Sequence, residues 1–209
     1  KDAFEITPLG KGVWGDVDIA SASAPVPILR KTLKLADKPV ARARLYATAL
    51  GLYQMNINGQ RVGDILFAPE WTDYRKRMRY QVYDVTSALR KGDNVLAGLI
   101  GHGWYSGHIG NGNYRHYGKV PALFAQLEVT YADGTVEGFA TDDSWKTTTS
   151  PILSSDFMLG ENYDAQQEVK GWDEPGLDDS AWKTATVRQE ESRPFESQLM
   201  EPARRVDEI

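Results

Sequence analysis

Wherever this sequence is apolar it tends to be apolar at every second position, and that period decides which folds it can reach. In "ARARLYATA" (41–49), Ala41, Ala43, Leu45, Ala47 and Ala49 share one side of an extended chain, while Arg42, Arg44, Tyr46 and Thr48 take the other. "ALFAQLEVTYADGTVEGFA" (122–140) alternates likewise through Leu123, Ala125, Leu127, Val129 and Tyr131 before Asp133-Gly134 reverses the chain. Asn58-Gly59, inside "QMNINGQRVG" (54–63), is a strong hairpin signal, because a type I′ turn needs positive φ at both central positions. Helices are limited to single turns, one of them in "DVTSALRKGDN" (84–94) with Thr86 as cap and Gly92 as stop. "DDSW" (142–145) and "DDSAW" (178–182) each predict an acidic cap followed by a tryptophan turned into one end of a core. Short strands, regular turns and no helical period predict an all-β fold. The expected form is an antiparallel β-sandwich of jelly-roll type with one face of each sheet buried.

Residues 1–39, which include "ASASAPVPILRK", read as a linker and entry strand, 40–190 as the sandwich, and 191–209 as an extended linker towards an absent catalytic domain. The balance of 24 Lys+Arg against 29 Asp+Glu, a net charge of −5, argues against a nucleic-acid partner. The one basic cluster, "YRKRMRY" (74–80), reads as a solvated strand face. No apolar run approaches the ~18 residues of a membrane span, so no membrane partner is expected. The opening "KDAFEITPLG" lacks the apolar stretch of a secretory leader. The absence of cysteine excludes disulfides and zinc–thiolate sites. It leaves the compartment open, with a periplasmic or extracellular setting slightly favoured over the cytoplasm.

Residues 101–118, "GHGWYSGHIGNGNYRHYG", concentrate six glycines, four aromatic residues and all three histidines of the chain. Glycine at that density suits neither a helix nor a central strand. A loop rich in both glycine and rings offers flat apolar platforms with amides and hydroxyls beside them, the mixture a small polar ligand such as a sugar requires. The structural alternative is that Trp104 and Tyr105 plug the end of the sandwich and the rest is an ordinary long loop.

Three longer stretches carry a family resemblance: "LYATALGLYQMNINGQRVGD" (45–64), "LFAPEWTDYRKRMRYQVYDVTSALRKGDNVLAGLIGHGWYSGHIG" (66–110) and "DDSWKTTTSPILSSDFMLGENYDAQQEVKGWDEPGLDDSAWKTATV" (142–187). With the distinctive pieces "APEWTDY", "GWYSG" and "GENYDA", the chain resembles the N-terminal accessory domain of bacterial α-L-rhamnosidases. The resemblance implies a galactose-binding-like jelly roll ahead of an α/α-barrel catalytic domain, and some similar modules hold L-rhamnose through calcium. His102 stands where "GDGW" or "GNGW" is usual, His108 where arginine is common, and 111–117 has a sequence of its own.

Glycoside hydrolysis needs two carboxylates across the scissile bond. The candidate pairs are Asp142/Asp143 and Asp178/Asp179, which read as caps, Glu161/Asp164, which reads as a loop brace, and Glu190/Glu191 in the tail. No catalytic residue is expected in this fragment. The histidines, at 102, 108 and 116, lack the compact spacing of a zinc motif. If the loops carrying Asp64, Asn111 and Asn113 meet at one end of the sandwich, they form an oxygen cage for calcium. The expected sugar site has Trp71 and Trp104 as platforms and Tyr74 and Tyr117 as flanks. Asn111, Asn113, Arg115 and His116, with Asp64, bond hydroxyls or the ion, and the partner is a rhamnose-containing glycan. The competing expectation is a structural module that packs on the catalytic domain of the same polypeptide and binds no sugar.

Overall fold

The computed structural model describes residues 12–14, 24–110, 113–188 and 193–205. One sheet is built from β1 (Gly12–Trp14), β3 (Val40–Leu50), β6 (Met78–Asp84), β10 (Ala122–Tyr131), β11 (Val136–Ala140), β16 (Thr186–Arg188) and β17 (Phe195–Ser197). Its order is β16-β1-β10-β3-β6-β17, and β11 also pairs with β10. The second sheet contains β2 (Pro27–Lys34), β4 (Leu52–Ile57), β5 (Gln60–Arg61), β7 (Asp93–Gly101), β12 (Lys146–Thr149) and β15 (Lys183–Thr184), ordered β15-β12-β2-β7-β4-β5. Two ribbons complete the fold: β8 (His108–Ile109) with β9 (Asn113–Tyr114), and β13 (Ile152–Asp156) with β14 (Gly160–Tyr163). The architecture is the expected antiparallel β-sandwich, except that β17 runs parallel to β6.

The alternation in β3 and β10 works as expected on the inner face. Ala47 pairs with Ala125 and Leu45 with Leu127, and these side chains meet Leu29, Met55, Leu96 and Ile100 of the opposite sheet in the main core. Outside, the expectation of one buried face per sheet fails. Tyr46, Leu50, Ala122 and Phe124 form a second core with Tyr74, Met78 and Tyr105. The loops 66–77 and 102–118 fold over this outer face because it presents large apolar rings, and each buried ring contributes about 1.5–3 kcal/mol.

Asn58 and Gly59 both adopt positive φ, as the hairpin required. Trp145 is fully buried and donates from Nε1 to the Ala140 carbonyl at 3.1 Å, but Trp182 of the matching "DDSAW" stays half-buried. The single 3₁₀ turn Thr86–Ala88 is not capped by Thr86. The Asp84 carboxylate takes the Thr86 N–H, and the Thr86 hydroxyl instead accepts from Ala43 N.

Two described segments outside 40–190 pair into the sheets. Residues 27–34, assigned to the linker and entry strand, form β2, hydrogen-bonded on both sides by β12 and β7. The tail 191–209 is no free connector where it is described: β17 lies on β6, and Leu66 N donates to the Ala203 carbonyl at 2.8 Å. Apolar residues explain both: Leu29 sits in the main core, and half-buried Phe195 packs against the second.

Candidate functional site: an aromatic edge

Past β5 the chain runs back along β4, with Tyr53 N donating to the Ala68 carbonyl at 2.9 Å and a cis Ala68-Pro69 bond. Phe67 and Glu70 have φ of 58° and 74°, a left-handed conformation that bulky side chains rarely adopt. Surrounding bonds hold them there. Glu70 N donates to the Phe67 carbonyl, Gln81 Nε2 to the Pro69 carbonyl at 3.2 Å, and the Tyr74 hydroxyl to the Glu70 carbonyl at 3.1 Å. Such local strain persists only where the surroundings over-determine it. Its result is that Phe67 and Trp71 point to solvent, 50% and 56% exposed.

Trp104 lies in a single helical turn, α1 (Gly103–Ser106). Gly103 has φ +51°, and a Cβ there would come within 2.6 Å of Leu52 Cγ, so only glycine lets the turn sit this close to β4. The Trp104 ring, half-buried, lies 4.7 Å from Phe157 and 6.4 Å from Phe67, and Phe67 and Phe157 are 5.5 Å apart. Three separate segments thus bring three rings together, and Met158 and Leu159 continue the apolar surface at the β13–β14 turn.

Two histidines clamp that turn to the 101–118 loop. His102 Nδ1 is 2.9 Å from the Ser155 carbonyl, which can only accept, so Nδ1 carries the proton. Burial pushes the His102 pKa down and outweighs the bond to Ser155, keeping the ring neutral. His108 Nδ1 and its backbone N both meet Asp156 Oδ2, while Asp156 Oδ1 accepts from Met158 N and Leu159 N. Burial pulls the Asp156 pKa upward, yet these donors win and hold it below the usual carboxylate range.

The sequence-predicted site divides. Tyr74 is only 1% exposed, so its expected role as a flank is corrected: it is core, its ring set edge-on to Tyr105 and Tyr117. Tyr117 lies beneath the Arg75 guanidinium at 5.3 Å with exposed His116 edge-on beside it. Arg115 lies over Tyr114 at 4.8 Å, and Tyr114 stacks on His108 at 4.5 Å. These rings and cations face each other. Asn111 lies outside the described residues, and Asn113 is placed only by the pairing of β9 with Ile109.

Of the three oxygen donors expected to hold calcium, only Asp64 has a described side chain, and it faces Arg204 Nε at 3.6 Å. Among the described residues no group of three or more His, Asp or Glu converges as metal ligands. Sequence reasoning missed Phe67, Phe157 and Met158. The signal was available in "DFMLG" (156–160), an apolar triplet inside a turn where polar residues are the rule.

Most of the described carboxylates in the candidate pairs are engaged by their own neighbours. Ser180 N–H holds the Asp178 pKa down. Asp179 is raised by burial but lowered further by Lys146 and Arg30, and Asp142 is raised by burial but lowered further by Ser144 and Lys31. A general acid requires the opposite shift. Asp164 caps its own turn by accepting from Gln166 N, and Glu161 is exposed on β14. Glu190 and Glu191 lie outside the described residues.

Comparison with known proteins gives a consistent result. The family model described as the α-L-rhamnosidase N-terminal domain matches residues 38–207. An α-L-rhamnosidase of Streptomyces avermitilis is 52% identical over 174 residues, covering 83% of this chain and 17% of the relative. One from Alteromonas sp. is 39% identical over 183 residues, covering 83% of this chain and 20% of the relative. The chain therefore spans about a fifth of the length of these relatives. Among solved structures, the S. avermitilis enzyme complexed with L-rhamnose superposes with a TM-score of 0.84 at 47% identity, covering 87% of this chain and 18% of that one. A Pleurotus ostreatus lectin in complex with GalNAc, at 20% identity and a TM-score of 0.54, covers 85% of this chain and 42% of its own and shares the fold alone.

Proposed function

Because the chain belongs to the family of α-L-rhamnosidase N-terminal domains, we propose that it is a non-catalytic sandwich of a glycoside hydrolase that docks the rest of its polypeptide through the aromatic edge. One observation carries this reading. Phe67 is held at positive φ with half its surface in water, beside Trp104 and Phe157, where folding of the chain alone gains little from a phenyl ring. An exposed apolar cluster on a strained scaffold is the mark of a contact surface. The lowered carboxyl pKa values of Asp142, Asp178 and Asp179 do not suit the general acid of a glycosidase.

The substitution Phe67→Asn separates docking from folding. Asparagine tolerates the left-handed conformation far better than phenylalanine, so relief of the backbone offsets the lost ring contacts. The isolated chain should keep its stability within about 0.5 kcal/mol. The longer rhamnosidase polypeptide carrying the same change should melt lower and lose activity. An unchanged longer polypeptide refutes docking through this edge.

A second reading has its own support: the Trp71 indole is 56% exposed and has no ring partner among the described residues, which suits stacking on a rhamnose-type sugar. Calcium would then bind with Asp64 released from Arg204. Loss of sugar binding in Trp71→Ala, or on adding a chelator, would favour it.

A further inference from the structure

The outer face of the six-stranded sheet carries a cleft built from residues other than those of the aromatic edge. Tyr163 and residues 168–173 border a space of about 320 Å³ whose floor includes Ile28 of β2 and Leu99 of β7, a directly paired couple across the two strands. Rings stand at its border: Trp172, half-buried, and Tyr163, more than half exposed. The covering segment is anchored from below. Arg30, 1% exposed, donates from Nη1 to the carbonyls of Trp172 and Glu174 and from Nε to Asp179.

Around this apolar floor lie polar groups with capacity to spare. Asp173 is nine-tenths buried, and only its Oδ2 is engaged, by Asn56 Nδ2 at 2.6 Å. Its Oδ1 meets no donor among the described residues and stays open to one from water or a ligand. Glu168 Oε1 is held by the Tyr163 hydroxyl at 2.7 Å, which orients the carboxylate and leaves Oε2 open. Lys170 adds an ammonium donor to the lining.

This combination selects a chemistry. Two carboxylates against one lysine repel an anion, and no arginine lines the cleft to take a phosphate. The volume is at the lower end of the range for small-ligand sites, ~300–1,000 Å³, so it takes one ring rather than a chain. Apolar floor, aromatic border and outward acceptors together match a molecule with a C–H face and several hydroxyl donors. We propose that this cleft binds a single neutral pyranose ring. Its C–H face lies against Leu99 and Trp172, and its hydroxyls donate to Glu168 Oε2 and Asp173 Oδ1. The site is independent of the docking edge and of any stacking at Trp71.

Calorimetric titration of the 209-residue chain with L-rhamnose, D-galactose and D-glucose, each without added metal, tests it. At least one of the three should bind. Glu168→Gln should weaken that binding about tenfold or more, since it removes a charged acceptor. Val169→Trp, which fills the cleft from its lining, should abolish it, and Trp71→Ala should leave it unchanged. The melting curve of each variant checks that it is folded. Silence with all three sugars overturns the proposal, as does heat that survives both Glu168→Gln and Val169→Trp or vanishes in Trp71→Ala. The docking proposal stands or falls separately, on the longer polypeptide.

Discussion

His102 and Asp156 decide how the Phe157 turn is held, and both make that hold sensitive to acid. Burial depresses the His102 pKa in the folded chain, whereas in the unfolded chain the ring titrates near its ordinary value of about 6.5. Unfolding therefore takes up a proton below that value. The stabilisation is complete above about pH 6.5 and is lost as the pH falls towards the folded pKa. Asp156, also depressed when folded, acts in the same direction lower down, below the ordinary aspartate value of about 3.9. Denaturant titrations between about pH 7 and pH 5 should show stability falling, and His102→Gln should flatten that slope while leaving the lower-pH loss in place. An unaltered slope in the variant would contradict the assignment. At this scale the sequence was only half legible. Trp71 could be read as exposed from its turn-rich surroundings, but nothing local marked Tyr74 as core, because the rings that bury it, Tyr105 and Tyr117, lie some thirty and forty residues further along.

Among the elements, β2 does the most to join the two halves of the structure. Its Ile28 floors the cleft, its Leu29 enters the main core, and its Arg30 grips the segment 172–179. Replacing Arg30 with Met would leave Asp179 with only Lys146 and two carbonyls without their donor. Breaking a buried pair from one side costs about 3–5 kcal/mol, and the partial exposure of Asp179 puts the expectation at about 3 kcal/mol. A lower urea midpoint with unchanged m-value is the predicted result, and a midpoint within experimental scatter of the parent would show that Arg30 does not pin the loop. The strands β3, β4 and β10 were readable because alternation and turn residues agree locally. Strand β2 was expected as an entry strand, but its proline-rich lead-in hid its interior place between β12 and β7, and the three residues of β17 are too few to show a period.

For the molecule as a whole, two sheets around one core follow from the period-two pattern, whereas the second core does not. It exists because loops separated by tens of residues close over Tyr46 and Phe124, and alternation within a single strand cannot report what will cover its outer face. Those same loops carry the aromatic edge, so what sequence reasoning missed in the fold and what it missed in the site have one cause. The account turns on whether the edge faces water or protein in the working polypeptide. Hydroxyl-radical footprinting measures this directly at Phe67, Trp71, Trp104, Phe157 and Met158, first in the isolated chain and then in the longer polypeptide proposed to contain it. Docking predicts strong labelling of the exposed members in isolation and marked protection at full length, with Val136, at the far end of the larger sheet, labelled equally in both. Equal labelling of the aromatic edge in the two forms would contradict it.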